Sequence, residues 1–235
     1  MMTTHCFRFL SVTPPGAIAD SVTRRCEFLR VAFFAVILCV ASLVAFDGSS
    51  EAGEFNPVLS IGDSAPAWSD LPGTDGKQHS SSDFRDSAAV VIVFTCNSCP
   101  YAVDAEDRLI ALEKEYRDRR VSVIAINVNL VEDDLMPAMK AKATEKKLEF
   151  PYLFDETQGI ARDFGAKYTP EFFVLDDSGK VAYMGSMDDS PDGREVSKRY
   201  VRDAIDAVLS GVRPEVTETV PIGCRIRIKR TRRGR

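Results

Sequence analysis

The chain has 235 residues, enough for one well-buried domain with accessory segments and too few for two large ones. Its composition, 45% hydrophobic and 28% charged, is that of an ordinary globular protein. The net charge of −5 hides an asymmetry: residues 225–235 are dominated by arginine and lysine, so the remainder is markedly acidic, which argues against nucleic acid as the partner of the domain.

Residues 1–52 read as a targeting segment. Arg24, Arg25 and Arg30 precede an uncharged apolar run, Val31 to Phe46, and the small residues Ser50 and Ala52 suit a cleavage site after Ala52. The run is slightly long for a signal peptide and short for a full membrane span. The expectation is an exported protein, periplasmic or otherwise extracytoplasmic, with retention as a membrane anchor through 31–46 as the alternative. Export leaves Cys96, Cys99 and Cys224 of the six cysteines. An odd number does not make a disulfide-stapled scaffold, so at least one thiol stays free to react or be buried.

The domain is expected over 58–212, followed by a cysteine-containing basic tail at 213–235. Pro72 to Lys77 reads as a turn between short edge strands. Ala89 to Phe94 is a short, β-branched apolar run, the pattern of a buried parallel strand, and a helix at about 101–118 follows it. Val121–Val128 reads as a second buried strand, 132–147 as a second helix, and 158–165 as a short one. Glu171–Asp176 and Val181–Gly185 flank a turn and form a hairpin. A helix at about 196–210 carries Val201, Ala204, Ile205 and Val208 on one face. The plan is α/β with three layers.

Cys96 and Cys99 sit at the turn between the first main strand and its helix. There a dithiol can be acidified by the free amides of a helix start and can also close into a disulfide. A metal knuckle is disfavoured, since no second C-x-x-C exists and His79 is the only histidine beyond residue 52. The usual rule for a C-x-x-C makes Cys96 the attacking thiol, whereas an ungapped count puts Cys99 at the helix start with Pro100 in the first turn. Both assignments stay open. So do three readings of Cys224: a buried small hydrophobe, a third redox thiol, or a site of intermolecular pairing.

Four stretches, Ile61–Pro66 with Asp75–Lys77, Phe94–Tyr101, Tyr168–Phe173 and Tyr183–Ser190, together resemble the thioredoxin fold, and within it the alkyl hydroperoxide reductase/thiol-specific antioxidant (AhpC/TSA) type of redoxin. Pro221–Ile226 resembles the Gly-Cys tail of one group of exported members. The resemblance spans about 58–229. It implies a three-layer α/β/α sandwich with a mixed central sheet and an N-terminal edge hairpin, Cys96 and Cys99 as catalytic thiols, and no cofactor. It further implies a cis Pro170 beside them, with Thr169 and Pro170 contacting substrate. The implied activity is thiol–disulfide exchange with disulfides of partner proteins, supported by a reducing partner. Thiol peroxidase activity and a non-enzymatic redox-sensitive binding module are the alternatives. The peroxidase reading is weakened because the Pro-x-x-x-Thr/Ser-x-x-Cys element of peroxiredoxins is absent: counted back from Cys99, Cys96 and Ile92 stand at its threonine and proline positions. Two departures from thioredoxins are visible. Thr95 replaces the aromatic before the first thiol, and apolar Val93 stands where a buried carboxylate is usual, with Glu106 and Asp104 as replacements that read as solvated.

Overall fold

The computed structural model describes residues 53–229. The targeting segment expected over 1–52, and the tail beyond 229, lie outside the described residues. Among the described residues no helix is long and apolar enough to cross a membrane.

Nine strands and four α-helices are present among these residues. The central sheet has the order β5-β4-β3-β7-β8, formed by β3 (Ala89–Phe94), β4 (Val121–Asn127), β5 (Tyr152–Phe154), β7 (Glu171–Leu175) and β8 (Val181–Gly185). Strands β3, β4 and β5 run parallel; β7 pairs antiparallel to β3, and β8 antiparallel to β7. Two small antiparallel pairs flank it: β1 (Leu71–Pro72) with β2 (Gln78–His79), and β6 (Tyr168–Thr169) with β9 (Cys224–Arg225). A bridge from Gly73 to Leu153 seats the first pair at the β5 edge.

The apolar run of β3 is explained by its place in the middle of the sheet, where every residue is buried. Because side chains alternate, Val90, Ile92 and Phe94 enter one core while Ala89, Val91 and Val93 enter the other. The second core is roofed by α1 (Pro100–Tyr116), α2 (Met136–Lys146) and α4 (Tyr200–Leu209), through Leu109, Leu112, Tyr116, Met139, Val201, Ala204 and Ile205. The opposite face is covered more thinly, by α3 (Gly159–Asp163) and the segment from Leu59 to Leu71. Phe94, Phe164 and Phe173 meet there edge to face, with centroids 5.2 to 5.8 Å apart. Each such contact adds about 0.5–1.5 kcal/mol beyond area burial, and together they fix the stretch leading to β6.

Two expected helices are shorter than the pattern suggests. The run over 132–147 divides into a 3₁₀ turn at Glu132–Asp134 and then α2, because the Asp134 carbonyl is taken by the Asn127 side-chain amide rather than by a helical N–H. The last helix starts only at Tyr200, since the Asp189 carboxylate accepts the N–H groups of Ser197 and Lys198 and holds that stretch as a loop. Arg108 of α1 clasps the same loop, bonding to Asp188 and to the carbonyls of Ser190 and Pro191.

Glu171 opens β7 almost wholly buried, accepting the N–H groups of Lys167 and Tyr168 on one oxygen. Burial pushes its carboxyl up to about 7 from an ordinary 4.5, against the opposing backbone bonds. The folded state therefore holds this proton longer than the unfolded chain. Its stabilisation is complete below about pH 4.5 and is lost as pH rises towards 7, a change of up to about 3 kcal/mol. Denaturant unfolding at pH 5 and pH 8 is expected to show this fall in the native protein and to lose most of it in Glu171→Gln.

Candidate active site

The residues between β3 and α1 form a loop of five, Thr95 to Cys99, anchored at both ends. The Thr95 N–H continues the sheet ladder to the Ile126 carbonyl at 3.0 Å. Cys99 is the N-cap of α1 with extended backbone, and Pro100 occupies the first turn, where its missing N–H costs nothing. Four residues remain to turn from sheet to helix, and two of them are the thiols.

A buried carboxylate holds this turn. Asp134 is wholly buried; it accepts the Ser98 N–H at 2.8 Å, the Ser98 hydroxyl at 2.7 Å and the Asn129 amide at 3.2 Å. Asn97 donates to the Asp133 carbonyl at 2.9 Å and accepts the Tyr152 hydroxyl at 3.0 Å. The loop is thus pinned to the segment that follows β4 and to the first residue of β5. Sequence reasoning missed Asp134, because an acidic run before Leu135 reads as a solvated helix start. Of the two replacement carboxylates considered there, Asp104 is exposed, and Glu106 is half-buried and paired with Lys142 at 2.9 Å.

Cys96, Cys99 and Thr169 are each 1–2% exposed and lie together. The Cys96 Sγ is 3.5 Å from the Thr169 hydroxyl, and the Cys99 thiol donates to the Thr169 carbonyl at 2.9 Å. The Thr169–Pro170 peptide bond is cis. Cys224 is half-buried against both thiols and Ala102. Its strand pairs with Tyr168–Thr169, so the backbone edge at Thr169, expected to meet substrate, already carries the chain's own β9. A cleft of about 510 Å³ opens over the sulfur atoms, lined by the three cysteines and, among others, by Arg225, Ile226 and Arg227.

The dithiol is electrostatically unequal. Cys99 is held well below the ordinary thiol range, first by the hydrogen bond from Cys96. Burial opposes this, and further bonds from Cys224, the Thr169 hydroxyl and the Ala102 N–H lower it again. Cys96 is pushed up because its proton serves the Cys99 sulfur, and also by burial and the Asp134 charge. Magnitudes agree with this order. A helix start stabilises an anion by about 0.3–1 kcal/mol, whereas a hydrogen bond to a charged group contributes about 1.5–3 kcal/mol. The neighbouring donors, more than the helix, lower Cys99.

The AhpC/TSA family model matches residues 61–184. An uncharacterized conserved protein from Geobacillus kaustophilus is 35% identical, covering 75% of this chain and 96% of its own, with a TM-score of 0.70. A hypothetical protein from Sinorhizobium meliloti 1021 is 31% identical, covering 73% and 96%, with a TM-score of 0.68. A candidate thiol:disulfide interchange protein, DsbE, from Chlorobium tepidum is 26% identical over 64% of this chain and 99% of its own, with a TM-score of 0.52. No curated protein matches.

Asp134→Ala leaves the Ser98 N–H and hydroxyl without their acceptor in a partly exposed turn, and is expected to lower the unfolding free energy by about 1–3 kcal/mol. Urea denaturation checks this. Ser98→Ala, which removes only the hydroxyl partner, should cost about 1 kcal/mol.

Proposed function

The chain belongs to the AhpC/TSA family of thioredoxin-like redoxins, and from that premise we propose that it is a thiol–disulfide oxidoreductase in which Cys99 attacks and Cys96 resolves. The observation that carries this reading is the pair of thiols in one four-residue turn, one acidified by the other at the mouth of a helix.

The Cys99 thiolate attacks one sulfur of a substrate disulfide. A Cys99–substrate bond forms, the substrate bond breaks, and the departing sulfur leaves as a thiolate that takes up a proton. Cys96 then loses its proton and attacks the Cys99 sulfur, which forms the 96–99 disulfide and expels the second substrate thiolate. The substrate gains two electrons from the dithiol and two protons, one from Cys96 and one from solvent, which holds the proton Cys99 gave up on ionising. Acidity suits each role. The low thiol is ionised for attack near neutral pH, while the high one keeps its proton until the mixed disulfide no longer needs it as a donor.

The substrate class is a disulfide of a partner protein, and a reducing thiol partner must restore the dithiol. The basic flank and apolar run at 24–46 support action outside the cytoplasm, with membrane association through 31–46. Peroxide reduction ranks second in this reading. Residues 92 and 96, the proline and threonine positions of the peroxide-cradling element, are Ile92 and Cys96, both buried.

In Cys96→Ser combined with Cys224→Ser the mixed disulfide has no resolving thiol next to it. Incubation with a disulfide-bonded protein should accumulate a covalent adduct on Cys99, seen on non-reducing gels and mapped by mass, while Cys99→Ser should give none and lose turnover. Alkylation of Cys99 should stay fast at pH values where an ordinary thiol is protonated. Rapid consumption of hydroperoxide with only a small thiol as reductant, and no adduct with protein disulfides, would transfer the assignment to a peroxidase.

A further inference from the structure

The segment after α4 is not a loose end. The carbonyl of Thr217 accepts from the Met184 N–H at 3.0 Å, and the Thr219 N–H donates to the Met184 carbonyl at 3.1 Å. Ser186 fastens it further, donating to the Val220 carbonyl at 2.8 Å and accepting the Ile222 N–H at 3.2 Å. Beyond Cys224, the Ile226 N–H donates to the Lys167 carbonyl at 2.8 Å, and the Ile226 side chain is buried in the core. Gln158, itself buried, bonds to the Arg227 carbonyl at 3.0 Å and to the Lys229 N–H at 2.8 Å. Cys224 is therefore held from both sides.

The approach to the dithiol is close enough to dictate a residue. A Cβ on Gly223 would lie 2.2 Å from the Thr169 carbonyl oxygen and 2.6 Å from its carbon, both backbone atoms. Only glycine lets the chain cross the Thr169–Pro170 peptide at this distance. The next residue is a cysteine, which packs against the cluster of Cys96, Cys99 and Ala102.

We propose that Cys224 is a third redox thiol, which takes Cys99 from Cys96 as a disulfide partner and presents the oxidised pair to an external thiol reductant. This rests on the reading of Cys99 as the attacking thiol. The Cys224 thiolate attacks the Cys99 sulfur of the 96–99 disulfide; the 99–224 bond forms, the 96–99 bond breaks, and Cys96 leaves as a thiolate that recovers the proton Cys224 gave up. No electrons enter or leave the protein in that step. A thiolate reductant then attacks the Cys224 sulfur and expels Cys99 as its thiolate, the better leaving group of the three. A second reductant thiol attacks the mixed disulfide on Cys224 and returns it to the thiol. Exposure supports the division of labour: Cys96 and Cys99 are each 2% exposed, whereas Cys224 lies half-open at the cleft beside Arg225 and Arg227.

The test is oxidation of the reduced full chain with excess oxidised glutathione, acid quenching, alkylation and mass mapping of the pairs. Cys224→Ser reports on the underlying reading alone and should form the 96–99 bond; its failure to do so overturns that reading and not the existence of a 99–224 exchange. Cys96→Ser should form an intramolecular 99–224 disulfide. A stable glutathione adduct on Cys99 with Cys224 still a free thiol overturns the proposal. Adding Gly223→Ala to Cys96→Ser should displace the strand and cut the yield of the 99–224 bond about tenfold in favour of the glutathione adduct, by loss of effective concentration. An unchanged yield overturns the positioning of Cys224 by this crossing.

Discussion

Distance along the chain between the last ladder bond of β3 and the first turn of α1 is the constraint on which the site depends. Thr95 still belongs to the sheet and Pro100 already belongs to the helix, so the turn has only residues 96–99 to work with. Two sulfur atoms in so short a turn remain neighbours without any disulfide to hold them. The turn itself cannot be stabilised by apolar packing, since its backbone groups need partners. The buried Asp134 carboxylate supplies them, and Asn127 in turn holds the backbone of Asp134. Charge inside the protein is tolerated here because each oxygen of that carboxylate is used.

The same crowding makes two chemically identical side chains unequal. Each thiol in isolation would be raised by burial. Placed together, one becomes the donor and the other the acceptor, and the Ala102 N–H sits on the acceptor's side. Thr169 also offers its carbonyl to the protonated Cys99 at 2.9 Å. One residue therefore faces both sulfur atoms, through its carbonyl for Cys99 and its hydroxyl for Cys96.

Legibility in the sequence followed the length of each signal. Six consecutive apolar residues in β3, and the two short apolar runs on either side of the turn between β7 and β8, announce buried and paired strands, and the structure has both. The three-layer plan and the position of the dithiol at a strand-to-helix junction were readable for the same reason. Strands β6 and β9 contain two residues each, too few for any periodicity, and their existence depends on Gly223 clearing the Thr169–Pro170 backbone. Asp134 was hidden because nothing in an acidic triplet says which member turns inward. The inequality of the two thiols depends on donors around each sulfur, and two of those beside Cys99, Thr169 and Cys224, lie 70 and 125 residues away in the chain.

The pairing of β9 with β6 has a consequence in the order of synthesis. Cys224 is made 55 residues after the Thr169 it covers. While the chain is still emerging, the sheet, α1 and the two inner sulfur atoms can be complete with the Thr169 edge bare. Closure of the cleft therefore waits for the last part of the chain, and a protein trimmed before Gly223 would meet passing disulfides with an uncovered flank.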